Sequence, residues 1–413
     1  MVIDFEYYVD LIKQTLNAGD NENGKKILRF LLSRTRWGNS VEGYTQDEVL
    51  TLSFLKMFRN YVDCDSIKGC LLGGAIGDAL GYPVEFLTSE EIIGKYGQKG
   101  ITELQLTDGK ARFSDDTQMT LFTADGLIHA SQRFINPTAD NYVESVYESY
   151  LNWLYTRDKT AIPDKNVYRS ELLKIDALHR RRGPGNTCLT TLKSGKCGTF
   201  THKLNDSKGC GGIMRVAPVA LYLSQIKDFE ESDIAIIAAR TAAITHGHAL
   251  GYIPAAYLAA LLCFILRGYM LMEASYMTDN LIKKLFPDYE DTKKCLKLIE
   301  MAREMAIPSE DEDGGDDSTA IRSLGEGWVA EETLAIALYC SLKYTEDFEK
   351  AIITAVNHDG DSDSTGAVTG NILGAYSGLR GIPQKMIDGI EMKETIMGLA
   401  EKLHINKLST EVK

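Results

Sequence analysis

Two short acidic clusters hold the residue types best suited to chemistry: Ser114-Asp115-Asp116-Thr117 and Asp361-Ser362-Asp363-Ser364. Each sets two carboxylates beside hydroxyls at the start of an apolar, helix-like run. If the fold brings the clusters together, four carboxylates share one small volume. Like charges that close shift their pKa values or are neutralised by a cation. Oxygen-only donors suit Mg²⁺, Mn²⁺ or Ca²⁺ better than zinc. The local alternative is helix capping. Ser114 can cap a helix running through Met119, Phe122 and Leu127, and Asp363 or Ser364 can cap one containing Val368 and Ile372. Acids in a first turn complement the helix dipole without any metal. Two clusters of the same layout weigh more than one.

Lys208-Gly209-Cys210-Gly211-Gly212-Ile213-Met214-Arg215 is a glycine-rich loop entering an apolar run. Such loops present backbone N–H groups to anions, although this one is neither a Walker A loop nor a dinucleotide fingerprint. A flexible turn is the alternative. Arg180-Arg181-Arg182, followed by Gly183-Pro184-Gly185-Asn186-Thr187, is a second candidate anion loop. His246 and His248 flank Gly247, but no neighbouring Cys or Glu completes a zinc set, so hydrogen bonding to substrate or core is the better reading. His358 precedes the second acidic cluster as a supporting residue or a plain helix end, and Trp328 reads as core. There is no Gly-x-Ser-x-Gly elbow, and no cysteine has a histidine partner in sequence.

The elements that must position these residues read as helices. Apolar spacings of three and four recur, and alternating strand-like runs are scarce. Residues 331–342 and 351–356 read as buried helices. Gly69, Gly73, Gly77 and Gly81 recur every four residues, as do Gly366, Gly370 and Gly374. Glycine costs about 1 kcal/mol per helical site relative to alanine, so two glycine-lined faces imply close backbone approach. If those faces pack together, Asp78 and Glu85 come near the Asp361 cluster. Residues 1–64 read as a small helical N-terminal extension, and residues 65–413 as the main domain. The acidic stretch Pro308–Asp317 reads as a solvated loop.

Composition sets the outer bounds. The 413 residues carry 45 Lys and Arg against 58 Asp and Glu, a formal charge of −13. That balance weighs against broad nucleic-acid binding, which needs a basic footprint. Eight scattered cysteines without a CxxC pair read as buried thiols of a reducing compartment. No signal-peptide pattern opens the chain, and the apolar stretch Ala255–Leu266 is short for a bilayer span. A soluble cytoplasmic protein with no membrane partner is expected.

Taken together, these segments resemble the ADP-ribosylglycohydrolase family, which includes the dinitrogenase-reductase-activating glycohydrolase and the ADP-ribosyl-acceptor hydrolases. The resemblance rests on Gly69–Gly81, Phe113–Met119, Pro184–Thr187, the glycine-rich loop running to Pro218, Thr245–His248, Gly327–Glu332 and Gly360–Ser364, in that order. It implies an all-α, orthogonal multi-helix fold with a binuclear Mg²⁺ or Mn²⁺ centre. Ser114, Asp115 and Asp116 match the first metal motif, and Asp361, Asp363 and Ser364 the second, with serine where threonine is common. Glu85 matches an acidic position over the cleft. Gly209, Cys210, Gly211, Gly212, Met214 and His246 match regions that hold the diphosphate and ribose, with cysteine at 210 where many relatives have asparagine.

The implied reaction is hydrolysis of the bond between the anomeric carbon of ADP-ribose and a nitrogen or oxygen of an acceptor. Asp116 and Glu85 are the two candidates for general base. The substrate is expected to be an ADP-ribosylated protein or small molecule, with nucleic acid entering only as a modified substrate. Competing readings are a catalytically silent ADP-ribose-binding relative and a hydrolase of a free ADP-ribose-containing metabolite. The extension of residues 1–64 is open to two readings. It docks a protein partner, such as an ADP-ribosyltransferase toxin that the enzyme neutralises, or it serves as a stabilising cap or dimer contact.

Overall fold

The computed structural model describes residues 62–161, 167–287, 290–307 and 316–405. The expected extension, apart from residues 62–64, and most of the acidic stretch 308–317 lie outside the described residues. The helices that build the site are α1 (Cys64–Gly81), α2 (Asp115–Arg133), α3 (Ala139–Arg157), α4 (Glu231–Ala243), α5 (Ala249–Leu266), α6 (Ala330–Lys343) and α7 (Ser362–Ser377). Phe348–Val356 is also helical, so both expected buried helices are present. Among the described residues, strand structure is limited to a hairpin, β1 (Leu106–Thr107) with β2 (Lys110–Ala111), and isolated bridges. The fold is all-α.

The glycine pattern has a direct structural cause. α1 and α7 run antiparallel with their backbones in contact. A Cβ added to Gly69 would lie 2.2 Å from the Gly374 carbonyl oxygen, one on Gly73 2.4 Å from that of Gly370, and one on Gly77 2.0 Å from that of Gly366. No side chain fits in that seam. Asn371 locks the register by donating from Nδ2 to the Cys70 carbonyl at 2.9 Å. Because the register is fixed, the C-terminal end of α1, with Asp78, sits at the N-terminus of α7.

Asp78 extends the lock to α2. Its carboxylate accepts from the Ser114 amide at 2.7 Å, the Thr117 amide at 3.0 Å and the Thr117 hydroxyl at 2.6 Å. One buried carboxylate thus satisfies two of the amides around the start of α2, which an unassisted helix start leaves unpaired.

α5 forms the centre of the core. The apolar stretch expected over Ala255–Leu266 extends back to Ala249, giving an 18-residue helix long and apolar enough to cross a membrane by length and composition. Its residues from Ala249 to Ile265 are buried inside this fold, against α4 among others, so its apolarity is accounted for by core packing. The eight cysteines are all free, and five are buried.

The seam makes a sharp stability prediction. Gly370→Ala places a methyl 2.0 Å from the Gly73 carbonyl oxygen. Urea denaturation should show a loss of about 2 kcal/mol or more. Gly398→Ala, at a helical glycine with nothing within 4 Å, should be neutral or stabilising by up to about 1 kcal/mol.

Candidate active site

The two acidic clusters meet. Ser114 caps α2, its Oγ accepting from the Asp116 amide at 3.1 Å. At α7 the cap is Asp361 rather than Asp363 or Ser364: its carboxylate accepts from the Ser364 amide at 3.3 Å. Asp363 lies one step inside the helix and accepts from the same amide at 3.0 Å. The clusters are bridged directly, because the Ser364 hydroxyl donates to Asp116 Oδ2 at 2.8 Å. Ser114, Asp115, Asp116, Asp361, Asp363 and Ser364 are all buried. Two helix N-termini therefore point their partial positive charge at one acidic volume.

Electrostatics confirm the crowding. Burial pushes the carboxyls of Asp115, Asp116 and Asp361 well above the usual range, with the Asp363 charge the next cause in each case. Burial and then Asp363 also raise Asp78 to about 7 and Glu85 to about 10. The two glycine faces do pack together, and Asp78 and Glu85 lie near the Asp361 cluster as that condition implies. Nearby cations are committed elsewhere: Arg182 to Glu391 at 3.0 Å and Lys208 to Glu331 at 2.8 Å. Among the described residues none of the six acids forms an ion pair with Lys or Arg.

The donor set is hard: carboxylate and hydroxyl oxygens, buried and without a paired cation. That chemistry fits Mg²⁺ or Mn²⁺. The acids converge without yet closing around a point. Among the described residues no three His, Cys, Asp or Glu side chains form a ready coordination set. The bonds from Ser364 to Asp116 and from Cys210 Sγ to Asp361 Oδ2 at 2.7 Å occupy oxygens that an ion would need.

The glycine-rich loop forms the other wall. It turns into a short 3₁₀ helix, Cys210–Arg215, and is zipped to the start of α6. The Cys210 amide donates to the Trp328 carbonyl at 3.2 Å and the Ala330 amide to the Lys208 carbonyl at 2.9 Å. His246 lies beneath it. A Cβ on Gly211 would stand 2.9 Å from His246 Cε1, and one on Gly209 3.6 Å from Nε2. Gly212 instead faces the core, where a Cβ would meet the Gly251 carbonyl oxygen at 2.7 Å. Met214 is also internal: it lines a small cavity with Asp116, Thr120 and Asn371 rather than the cleft.

Other expectations need correction. Arg182 does not form a free anion loop with Arg180 and Arg181. It is buried, donates to the Phe113 carbonyl at 3.0 Å and pairs with Glu391. Nearby, the Gly185 amide reaches Asp115 Oδ2 at 3.4 Å. Trp328 is not core. Its ring stacks on Phe86 with centroids 5.3 Å apart, and Phe86 is 69% exposed with a left-handed φ of 70°. This stack joins the Glu85 turn to the Gly327 turn across the acidic centre. His358 is structural, its Nε2 2.9 Å from the Thr365 hydroxyl. A cavity of about 650 Å³, lined by Leu379, Ile382 and Met397 among others, contains none of these residues. The converging acids, not that cavity, mark the candidate site.

Arg215 was missed. It is fully buried, lies over the Tyr150 ring at 4.3 Å, and donates to Met119 Sδ, Cys188 Sγ and the Thr245 hydroxyl. The available signal was an arginine set inside the apolar run Ile213–Pro218.

Fold and site together define an all-helical protein with an acidic centre built from helix N-termini. A family model described as ADP-ribosylglycohydrolase matches residues 60–411, and the chain belongs to that family. It is 26% identical over 342 residues to the ADP-ribosylarginine hydrolase Tri1 of Serratia proteamaculans, covering 82% of this chain and 79% of that protein. It is 26% identical to the ADP-ribosyl-[dinitrogen reductase] glycohydrolase of Rhodospirillum rubrum, over 80% of this chain and 91% of that one. It is 23% identical to the ADP-ribosylhydrolase ARH3 of Bos taurus, over 82% and 92%. A solved chain described as an ADP-ribosylglycohydrolase-related protein complex superposes with a TM-score of 0.55 at 24% identity, covering 82% of this chain and 97% of that chain. At that identity the match shows the shared fold. The chain is therefore an ADP-ribosyl glycohydrolase of the family that hydrolyses ADP-ribose linkages.

Burial, and then the Arg215 charge, lower His246 to about 3. The unfolded chain binds a proton near pH 6.5 that the native state refuses, so this residue makes stability fall as pH drops from about 6.5 toward 3. The slope approaches about 1.4 kcal/mol per pH unit. A His246→Gln variant, followed by urea denaturation across that window, should show a correspondingly shallower acid loss.

Proposed function

We propose that this chain releases ADP-ribose from a modified acceptor using two Mg²⁺ or Mn²⁺ ions held by Ser114, Asp115, Asp116, Asp361, Asp363 and Ser364. The observation that carries the reading is the meeting of two capped helix N-termini, each with paired carboxylates, in one buried volume without a paired cation. Divalent ions, when bound, neutralise that cluster and stabilise charge developing in the transition state.

The protein's own groups divide the remaining work. Hydrolysis joins a water oxygen to the anomeric carbon while the bond from that carbon to the acceptor breaks. The water proton passes to a base, and the departing acceptor atom takes up a proton. Glu85 suits the proton-handling role. It is half-buried beside the cluster, and no hydrogen bond from its carboxylate is found among the described residues. Asp116 already accepts the Ser364 hydroxyl, which suits an ion ligand better than a base. The loop amides around Gly209 and Gly211, with His246, would face the diphosphate and ribose. Arginine-linked ADP-ribose is the first substrate to test, because one relative is named for that bond.

The test is hydrolysis of defined ADP-ribosylated arginine, serine and nucleic-acid substrates, with and without Mg²⁺ or Mn²⁺. Asp115→Ala and Asp363→Ala should lose both cation binding by calorimetry and turnover. Glu85→Gln should keep cation binding while kcat falls by about 10²–10⁴. Full wild-type turnover in excess chelator would refute the metal reading.

A further inference from the structure

We infer that Arg215 and Thr245 are positioning residues that fix His246 in the Nε2–H tautomer, aiming a hydrogen-bond donor at the glycine-rich loop. The inference rests on the proposed ADP-ribose site, since it assigns a donor to the substrate side of that loop.

The argument is one of donor counting. Arg215 Nη2 lies 2.6 Å from Thr245 Oγ1, and a guanidinium can only donate. The threonine oxygen is therefore an acceptor in that bond, leaving its single proton for another partner. His246 Nδ1 lies 2.9 Å away. The other acceptor near this hydroxyl, Cys188 Sγ, already takes a bond from Arg215 Nη1 at 3.4 Å, and sulfur is the weaker acceptor. Nδ1 is the strongest acceptor within reach of that proton, so the hydroxyl donates to it and Nδ1 is left unprotonated. In a neutral imidazole the remaining proton sits on Nε2.

The neutral state has its own cause. His246 is buried and shares its surroundings with the Arg215 charge, so a second positive charge is disfavoured. Nε2 is the ring atom nearest the loop: it would be 3.2 Å from a Cβ on Gly211 and 3.6 Å from one on Gly209. No hydrogen-bond partner for Nε2 is found among the described residues. The chain Arg215–Thr245–His246 thus ends in a free N–H under a glycine pair that leaves room for a ligand oxygen. A buried arginine without a carboxylate partner is costly unless its charge and donors are used. Here Nη2 holds the threonine that orients an imidazole, while Nε is left without a hydrogen-bond partner among the described residues.

The experiment is nitrogen NMR of protein labelled with ¹⁵N-histidine, with the His246 signals assigned by their loss in His246→Gln. Wild type should show the Nε2–H tautomer. Thr245→Val should change the tautomer distribution and weaken ADP-ribose binding about tenfold, and Thr245→Ser should restore both. A wild-type Nδ1–H tautomer overturns the proposal without needing any variant. So does a Thr245→Val protein whose tautomer is unchanged. Failure of wild type to bind ADP-ribose would instead sink the functional reading and leave the tautomer result to stand by itself.

Discussion

The contact on which the structure depends is the side-chain-free seam between α1 and α7. Each glycine there costs about 1 kcal/mol of helix propensity relative to alanine, so the seam is unfavourable as local structure. It is recovered as direct backbone packing, with a Cβ at Gly370 excluded by a carbonyl oxygen 2.0 Å away. Any residue but glycine would push the helices apart. It would also slide Asp78 away from the amides of α2, because Asp78 sits one turn from the end of the same seam. The acidic clusters are far apart in sequence, and what unites them is a register set by glycine.

That register creates an electrostatic problem. Two unit charges about 5 Å apart at an effective dielectric near 20 repel by roughly 3 kcal/mol. Several such pairs cannot be held in a marginally stable domain as bare anions. The protein answers with raised carboxyl pKa values, hydrogen bonds from Ser364 and Cys210, and the partial charge of two helix ends. Each of these is a partial answer, and cation binding would be a complete one. The proposed divalent ions would relieve that repulsion.

Some of this was legible in the chain. The four-residue glycine period gave two helix faces that need close backbone approach, and left their packing on each other as a condition that the fold meets. The Ser114 cap followed from a hydroxyl before two acids. Other details depended on contacts distant in sequence. Asp361 and Asp363 are equally good caps locally, and only the path of the loop from Gly360 into α7 makes Asp361 the cap. The Arg180–Arg182 run looked like an anion loop because Glu391, which claims Arg182, is far along the chain. Trp328 looked like core because large apolar rings usually are, whereas Phe86, its stacking partner, stands on a turn whose left-handed φ leaves no periodic trace. Residues 1–61, nearly all of the expected extension, lie outside the described residues.

The site also separates into parts with different mechanical character. The acids sit on helix ends that share buried hydrogen bonds through Asp78, and the glycine loop is stitched to α6 by backbone bonds. Such anchoring holds reacting groups to within fractions of an ångström, which transition-state stabilisation requires. Glu85, Phe86 and Trp328 sit instead on turns at the rim, partly exposed. The glycine seam keeps α1, which carries Asp78, in register with α7, which opens on the Asp361 cluster.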